Sequence, residues 1–267
     1  MKKILLLATL CAWASSGLAW ATPAAEPPKR MAWSFEGVFG TYDRGTLQRG
    51  FQVYKEVCAS CHGLSLVAFH DLAAPGGPSF SERQAKAIAA AYKIAAGPNE
   101  RGETTDDKGN RLTRPGTPAD HFPVPFANEQ AARAVNGGAL PPDLSLIVKA
   151  RQGGADYIYA LLTGFAAPPQ TTPEGKFYNR YFPGHAIAMP PPLMPDSVTF
   201  SDGTPATVDN EAKAVTTFLA WASEPQLEAR HRLGFQVLAF LVLLAGLLGL
   251  TYYRVWYAKA KAPPKGE

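Results

Sequence analysis

The sequence predicts a mainly α-helical domain with long loops, followed by one membrane-spanning helix. Residues 46–61 and 210–223 place apolar side chains at i, i+3 and i+4 steps, the spacing that builds one face of a helix. Gly and Pro each occur 24 times in 267 residues, which indicates extensive loops between the helices. Residues 237–253 contain no charged side chain and are apolar on every side of a helix.

The N-terminus has the pattern of an export signal. Lys2 and Lys3 precede an apolar run, and an Ala-x-Ala pattern follows at residues 19–21. The run is too short to span a membrane. We therefore expect a signal peptide over residues 1–21, whose removal also discards Cys11.

The C-terminal apolar run has the pattern of a membrane anchor. Widened to residues 233–257, it forms a helix of about 37 Å, enough to cross a hydrocarbon core of about 30 Å. Arg254 and the lysines that follow predict a cytoplasmic tail over residues 258–267. We expect an anchor helix over residues 228–257 in a bacterial inner (cell) membrane, in contact with membrane lipid.

The charge of the folded part is slightly negative. Residues 22–227 contain 18 Lys and Arg against 20 Asp and Glu, so the excess of positive charge in the whole chain lies near its two ends. Nucleic-acid binding needs a basic face on the folded domain, and this balance argues against it. We expect residues 22–227 to form one periplasmic domain.

Cys58, Cys61 and His62 form a Cys-x-x-Cys-His motif, the pattern of covalent haem attachment. Two thiols one helical turn apart reach the two vinyl groups on one porphyrin edge, and the adjacent imidazole binds the iron. The alternatives are a disulfide, a thioredoxin-like redox pair and a zinc half-site, although no βαβ pattern or further cysteine supports the last two. We favour one haem c, and helices near both ends of a haem domain are typical of the cytochrome c fold.

The second iron ligand is less clearly marked. Met189 precedes three prolines, which stiffen the backbone around a soft thioether ligand. His185 is its chief rival, although the adjacent Gly184 indicates an exposed turn, and we interpret Met194 as a core residue. The other candidates are His70, His121 and His231.

Gly50, in the helix before the motif, permits a close crossing with another helix, since it lacks a side chain.

Several elements are predicted between and after the ligands. We expect a capping-box helix from Ser81 to about Ile94, followed by a polar surface loop over residues 97–125. Three further helices are expected over residues 128–135, 143–151 and 156–162, the last two with Asp143 and Asp156 as their N-caps. A hairpin turn is expected at residues 201–204.

Seven stretches together resemble the cytochrome c1 family, the haem subunits of ubiquinol–cytochrome c oxidoreductase. They are residues 49–62, 98–103, 139–151, 153–164, 181–193, 202–207 and 218–225, and the apolar anchor follows them.

This resemblance implies roles for nine residues. Cys58 and Cys61 would hold the haem covalently, His62 and Met189 would be its axial ligands, Arg151 would pair with a haem propionate, Tyr157 and Asn136 would line the pocket, and Pro141 and Pro142 would lie beside the His62 face. The chain departs from the family at His185, where glutamine is common, and it lacks a second cysteine pair in the mature domain.

The resemblance also implies electron transfer as the function. Electrons would arrive from a Rieske iron–sulfur protein and leave to a soluble or membrane-tethered cytochrome c, with the cytochrome b subunit as the membrane partner. This chain alone would not oxidise quinol. The alternative is a membrane-anchored haem enzyme or ligand sensor with an open iron position.

Overall fold

The computed structural model describes residues 25–260, with side chains through Tyr257. The predicted signal peptide and residues 261–267 of the predicted tail lie outside the described residues. The described part contains six α-helices: α1 Arg44–Val53, α2 Glu82–Ala90, α3 Glu129–Val135, α4 Gly154–Thr163, α5 Val208–Ser223 and α6 Leu227–Ala260. It also contains two small antiparallel sheets, in which β1 Lys93–Ala95 pairs with β2 Thr113–Pro115 and β3 Phe177–Tyr178 pairs with β4 Ala186–Ile187. The mainly α prediction is confirmed.

The helix predicted over residues 46–61 changes its winding before the Cys-x-x-Cys-His motif. Asp43 caps α1, because its carboxylate accepts a 2.7 Å hydrogen bond from the Thr46 amide. After α1 the chain continues as one π-helical turn, Tyr54–Cys58, closed by a 2.8 Å bond from the Ala59 amide to the Tyr54 carbonyl. Such wide turns inside helices frequently occur at functional sites.

Helices α1 and α5 cross in direct backbone contact, as Gly50 predicts. A Cβ atom at Gly50 would overlap the carbonyl oxygen of Ala214 and lie 2.6 Å from Cβ of Phe218. The absent side chain therefore permits the crossing. Around it, large buried aromatic rings form the centre of the core: Phe51, Tyr54, Phe69, Phe122, Phe218 and Trp221.

The segment after the motif is partly as predicted. Ser81 and Gln84 form the expected capping box at the start of α2. The helix ends at Ala90 and does not reach Ile94, because residues 93–95 pair with residues 113–115 as strands. The predicted surface loop is largely exposed, but Phe122 within it is buried in the core.

Two predictions near α4 are wrong. Residues 143–151 form successive turns and not a helix. Helix α4 begins at Gly154, behind a left-handed Gly153 with φ +87°, so Asp156 is not its N-cap. The Asp156 carboxylate instead accepts hydrogen bonds from the Trp33 indole at 2.7 Å and from the Met31 amide at 3.0 Å, which attach the N-terminal segment to α4.

Residues 201–204 form the predicted turn, without strands on either side of it in the described chain. The Asp202 carboxylate accepts a 3.0 Å bond from the Thr204 amide and pairs with Arg49 on α1 at 2.5 Å. The Thr204 hydrogen bonds, with a further contribution from Arg49, lower the pKa of Asp202 to about 2. The turn is thereby attached to α1.

Helix α6 is the one helix in the described chain that is long and apolar enough to cross a membrane. Its candidate span covers Leu227–Tyr257, has a mean hydropathy of 2.4 and is not buried within the chain. The predicted apolar C-terminal helix is confirmed, and its length and composition fit a membrane span. Glu228, at its start, accepts a 2.9 Å bond from the Tyr42 amide and pairs with Arg44 at 2.6 Å, so the anchor is connected to the beginning of α1.

The crossing predicts that alanine substitution at two glycines of α1 changes the free energy of unfolding by different amounts. Gly50→Ala is expected to lower the free energy of unfolding by about 1–3 kcal/mol, because its methyl group has no space beside Ala214. Gly45→Ala is the matched control, since the nearest atoms to its added Cβ are 3.6 Å away. It should be neutral or gain up to about 1 kcal/mol from helix propensity. Denaturant unfolding of the full chain in detergent, followed by circular dichroism, measures both. Equal effects of the two substitutions would contradict the close crossing.

Candidate haem site

The two cysteines lie on one turn at the end of the first helix. Cys58 ends the π-helical turn, and its carbonyl accepts bonds from the amides of Cys61 at 3.1 Å and His62 at 2.9 Å. Both thiols are free in the structure, so no disulfide joins them. Burial, with a contribution from Cys61, raises the pKa of the Cys58 thiol to about 12. A reactive redox thiol needs a lowered pKa, so this environment disfavours the thioredoxin-like alternative.

The zinc alternative also lacks support from the geometry. Within residues 25–257, no group of three or more His, Cys, Asp or Glu side chains is arranged to hold a metal ion. A structural zinc site needs four such ligands. The motif therefore has no protein partner that would complete a zinc centre in this part of the chain.

His62 is oriented by a backbone carbonyl. Its Nδ1 lies 2.8 Å from the carbonyl oxygen of Pro142, which requires a proton on Nδ1 and leaves the lone pair on Nε2. Burial lowers the pKa of His62 and so favours the neutral imidazole that binds iron. The phenol of the fully buried Tyr54 donates to the His62 carbonyl at 3.3 Å, which restrains the same residue from the core side. A hydrogen bond from the other ring nitrogen to a carbonyl fixes the tautomer and the ring orientation that a histidine needs in order to bind a metal.

The backbone after Pro142 lies directly against the backbone after His62. The Leu144 amide donates a 2.9 Å bond to the Gly63 carbonyl. A Cβ atom at Gly63 would lie 2.8 Å from a carboxylate oxygen of Asp143 and 3.1 Å from a methyl group of Val124. Because Gly63 has no side chain, the two segments approach closely enough for the Pro142 carbonyl to reach His62.

Two side chains complete this docking. Asp143 accepts from the Ser65 amide at 2.9 Å and from the Ser145 amide at 2.8 Å. The buried Ser145 hydroxyl accepts from the Leu66 amide at 3.0 Å. Although partial burial alone would raise the pKa of Asp143, the hydrogen bonds from Ser145 and Ser65 lower it overall. Sequence reasoning assigned Asp143 only a helix cap, and an acidic residue after two prolines carries no other local signal.

These features fit a covalently attached haem. Two unbonded thiols lie one turn apart, and the adjacent neutral imidazole presents Nε2 with no hydrogen-bond partner among the described residues. Thioether formation needs the first feature and iron coordination needs the second. The Pro142 carbonyl contacts His62, and the assignment of Pro141 and Pro142 to the haem face at His62 stays a prediction.

Met189 lies in a short segment, residues 187–193, whose two end residues are buried, and we call this segment the strap. It follows the β3–β4 hairpin and is half-buried, between the buried side chains of Ile187 and Leu193. Met194 is 65% exposed, so its interpretation as a core residue is wrong. The two buried side chains restrain the strap that carries Met189, whose role as an iron ligand stays a prediction.

His185 is part of the hairpin turn. It has a left-handed backbone with φ +57°, and its ring stacks on Tyr178 with 5.6 Å between centroids. Its Nδ1 lies 3.3 Å from the Asn179 carbonyl, and its own carbonyl accepts from the Asn179 amide at 2.9 Å. These contacts give His185 a structural role in shaping the turn that leads to Met189.

Asn179 joins this hairpin to α4, and sequence reasoning missed it. Its fully buried side chain donates to the Leu161 carbonyl at 2.7 Å and accepts from the Tyr181 amide at 3.0 Å. An asparagine near a turn is common in loops, so its position in the sequence carried no functional signal.

The remaining candidate residues occupy two places. Arg151 is exposed, and its guanidinium donates a 3.2 Å bond to the Ala150 carbonyl and forms no salt bridge with a carboxylate of residues 25–257. Burial raises the pKa of the half-buried Tyr157 while Arg151 acts in the opposite direction, so the two groups are within electrostatic reach. Asn136 follows α3 as its C-cap residue, and its side-chain amide donates to the Ala132 carbonyl at 2.7 Å. Their contacts with a haem stay predictions.

Comparison with known proteins shows the family of this chain. The Cytochrome C1 family model matches residues 33–259. A cytochrome c1 of Rhodospirillum rubrum is 48% identical over 261 residues, covering 91% of this chain and 92% of that protein.

The chain belongs to the cytochrome c1 family. Cytochrome b/c1 of Bradyrhizobium diazoefficiens is 54% identical over 257 residues, covering 88% of this chain but only 36% of that longer protein. Cytochrome c1 1, a mitochondrial haem protein of Arabidopsis thaliana, is 49% identical over 224 residues, covering 83% of this chain and 69% of that protein. Membership in the cytochrome c1 family agrees with the resemblance drawn from the motifs.

The docking of Asp143 predicts a pH-dependent contribution to stability. Its pKa is lower in the folded chain than in the unfolded chain, so the stabilisation is present above the ordinary carboxyl pKa of about 3.9 and is lost as pH falls through the folded value. Asp143→Asn replaces one accepting oxygen by a donor and should cost about 1–3 kcal/mol at pH 7. The deficit should shrink at pH 3. Denaturant unfolding of the full chain at both pH values measures it.

The exposed Asp107 supplies the control for this experiment. Asp107→Asn should change the free energy of unfolding little at either pH, because exposed substitutions away from such contacts are usually within about 0.5 kcal/mol. A deficit for Asp143→Asn that stays the same at pH 7 and pH 3 contradicts the charged docking contact.

Proposed function

We propose that this chain is the electron-transferring haem subunit of a quinol–cytochrome c reductase of the bc1 type. The observation that carries the proposal is the orientation of His62 by the Pro142 carbonyl, next to two unbonded thiols on the same turn. Family membership supports the same conclusion, and so do the names of relatives that are called haem proteins.

Four residues would hold the cofactor, one haem c. Cys58 and Cys61 would form the two thioethers, and His62 and Met189 would bind the iron. When bound, the haem supplies an iron that alternates between the ferric and ferrous states, and a thioether ligand raises its reduction potential. The chain's own contribution is rigidity, since the Pro142 carbonyl orients His62 and the buried Ile187 and Leu193 restrain the strap that carries Met189.

The surrounding residues would orient the porphyrin. Arg151 has no carboxylate partner in the described chain, so its guanidinium is available to a haem propionate. Tyr157 is within electrostatic reach of Arg151 and would line the same side of the pocket. We assign Asn136 to the pocket lining, and Pro141 and Pro142 to the His62 face.

The partners follow from this role. Electrons would arrive from a Rieske iron–sulfur protein and leave to a soluble or membrane-tethered cytochrome c. Helix α6 would hold the domain at the membrane beside the cytochrome b subunit, because the most apolar part of its candidate span is not buried within the chain. We place the domain of residues 22–227 in the periplasm, after removal of residues 1–21, and the C-terminal tail in the cytoplasm.

Two methionine substitutions test the axial ligands. Met189→Leu in the full, haem-loaded chain should abolish the far-red sulfur-to-iron absorption band of the ferric form and lower the reduction potential, because leucine offers no ligand atom. Met194→Leu is the matched control, since this methionine is 65% exposed five residues further along the same segment. It should leave both the band and the potential unchanged. Absorption spectroscopy and a redox titration measure the two properties.

The same spectra distinguish the competing function. A membrane-anchored haem enzyme or ligand sensor has an open iron position, so its unmodified haem is high-spin and binds carbon monoxide or cyanide readily. High-spin haem in the unmodified chain, or a band that persists in Met189→Leu, rejects the proposed ligand pair. A chain that carries no covalent haem after maturation in a competent host rejects the whole proposal.

Electrostatic docking gives a kinetic prediction. Because residues 22–227 carry a small excess of negative charge, reduction of a basic cytochrome c should slow as the salt concentration rises. Stopped-flow absorbance over a range of ionic strength measures the rate. A neutral small-molecule oxidant serves as the control and should react at a rate independent of salt. A flat response with the basic cytochrome c would exclude electrostatic docking.

A further inference from the structure

An exposed turn near the beginning of the described chain carries two adjacent apolar side chains. Val38 is 65% exposed and Phe39 is 79% exposed, and neither belongs to the candidate haem site. They form the tip of the turn between Glu36 and Gly40. Two neighbouring apolar side chains at the tip of a loop have no function in holding the haem, and their exposure needs a different explanation.

The position of this tip along the membrane helix is defined by a ring contact. Phe39 stacks on Phe235 of α6, with 5.2 Å between ring centroids and 16° between ring planes. Phe235 lies within the uncharged stretch that follows Arg232, two residues, or about 3 Å of helix, before the uninterrupted apolar run that begins at Val237. The tip therefore lies at the level where the apolar part of α6 begins.

Backbone hydrogen bonds and close packing hold the turn of residues 36–40 in place, so Phe39 does not meet Phe235 as part of a free chain end. The Thr41 amide donates to the Ser34 carbonyl at 2.9 Å, and the Gly40 amide donates to the Gly37 carbonyl at 3.1 Å. Gly40 is buried, and a Cβ atom there would overlap the Phe35 carbonyl. These contacts hold the tip in one orientation toward α6.

The base of the same turn is connected to the start of the anchor. The Phe35 ring packs on Tyr42 at 5.2 Å between centroids. The Tyr42 amide bonds to Glu228 at 2.9 Å, and Arg44 pairs with the same carboxylate at 2.6 Å. The turn and the first part of α6 thus behave as one structural unit.

We propose that Val38 and Phe39 insert into the lipid bilayer beside α6, at the boundary between headgroups and acyl chains. Lipid is the occupant because the tip is continuous with the uncovered apolar surface of the spanning helix and lies at the level where that surface begins. Burial of apolar area in the membrane favours the insertion. The domain is then held at the membrane by two points and does not pivot freely about α6. This inference depends on the membrane span and not on the proposed haem ligands.

A spin label at residue 38 tests the insertion. The label is attached to Val38→Cys, and the full haem-loaded chain is reconstituted in nanodiscs of phosphatidylcholine and phosphatidylglycerol. Power-saturation electron paramagnetic resonance compares access of oxygen, which concentrates in lipid, with access of a water-soluble nickel chelate. The ratio of oxygen access to nickel access should be above one at residue 38.

Val135→Cys is the matched control, because it is also a valine and is 72% exposed, on helix α3. Its label should show a ratio below one. Nickel access at residue 38 equal to that at residue 135 overturns the proposal, because the tip is then in water. Exclusion of both reagents from residue 38 also overturns it, because protein and not lipid then covers the tip. Should Val38→Cys fail to give haem-loaded protein, a label at Phe39→Cys supplies the same comparison.

Discussion

The close crossing of α1 and α5 is the constraint on which the rest of the domain depends. It is possible because Gly50 brings the backbone of α1 against the Ala214 carbonyl. One end of α1 leads into the turn that bears the Cys-x-x-Cys-His motif, and its other end is paired with Glu228 at the start of the membrane helix. A single helix therefore relates the position of the candidate haem site to the membrane.

The site itself is assembled by segments that are distant in the sequence. The segment after Pro142 docks on the segment after His62 through backbone bonds and through the Asp143 carboxylate, and this docking orients the imidazole. The strap that carries Met189 is attached to α4 by the buried Asn179. A site for fast electron transfer benefits from such restraint, because ligands that do not move when the iron is reduced keep the reorganisation energy small. The polar contacts around the candidate haem residues thus position side chains and do not themselves take part in chemistry.

The errors of the sequence predictions share a physical cause. Aspartate is a good N-cap in isolation, and this preference predicted caps at Asp143 and Asp156. In the structure both carboxylates accept hydrogen bonds from distant segments, Asp143 from Ser65 and Asp156 from Trp33. Helix α2 likewise ends early because its continuation pairs with a strand some twenty residues away. Local preference failed wherever a long-range partner offered a stronger contact.

The sequence by itself determined what depends on local pattern. The Cys-x-x-Cys-His spacing, the amphipathic period of the two crossing helices and the length of the apolar anchor are properties of contiguous residues, and they suffice for the fold class, the family and a haem cofactor. Only the tertiary structure decided which carbonyl orients His62, how Asn179 ties the hairpin before Met189 to α4, and where Phe39 meets the membrane helix. Those contacts join residues from 18 to 196 positions apart, and no local period encodes such distances.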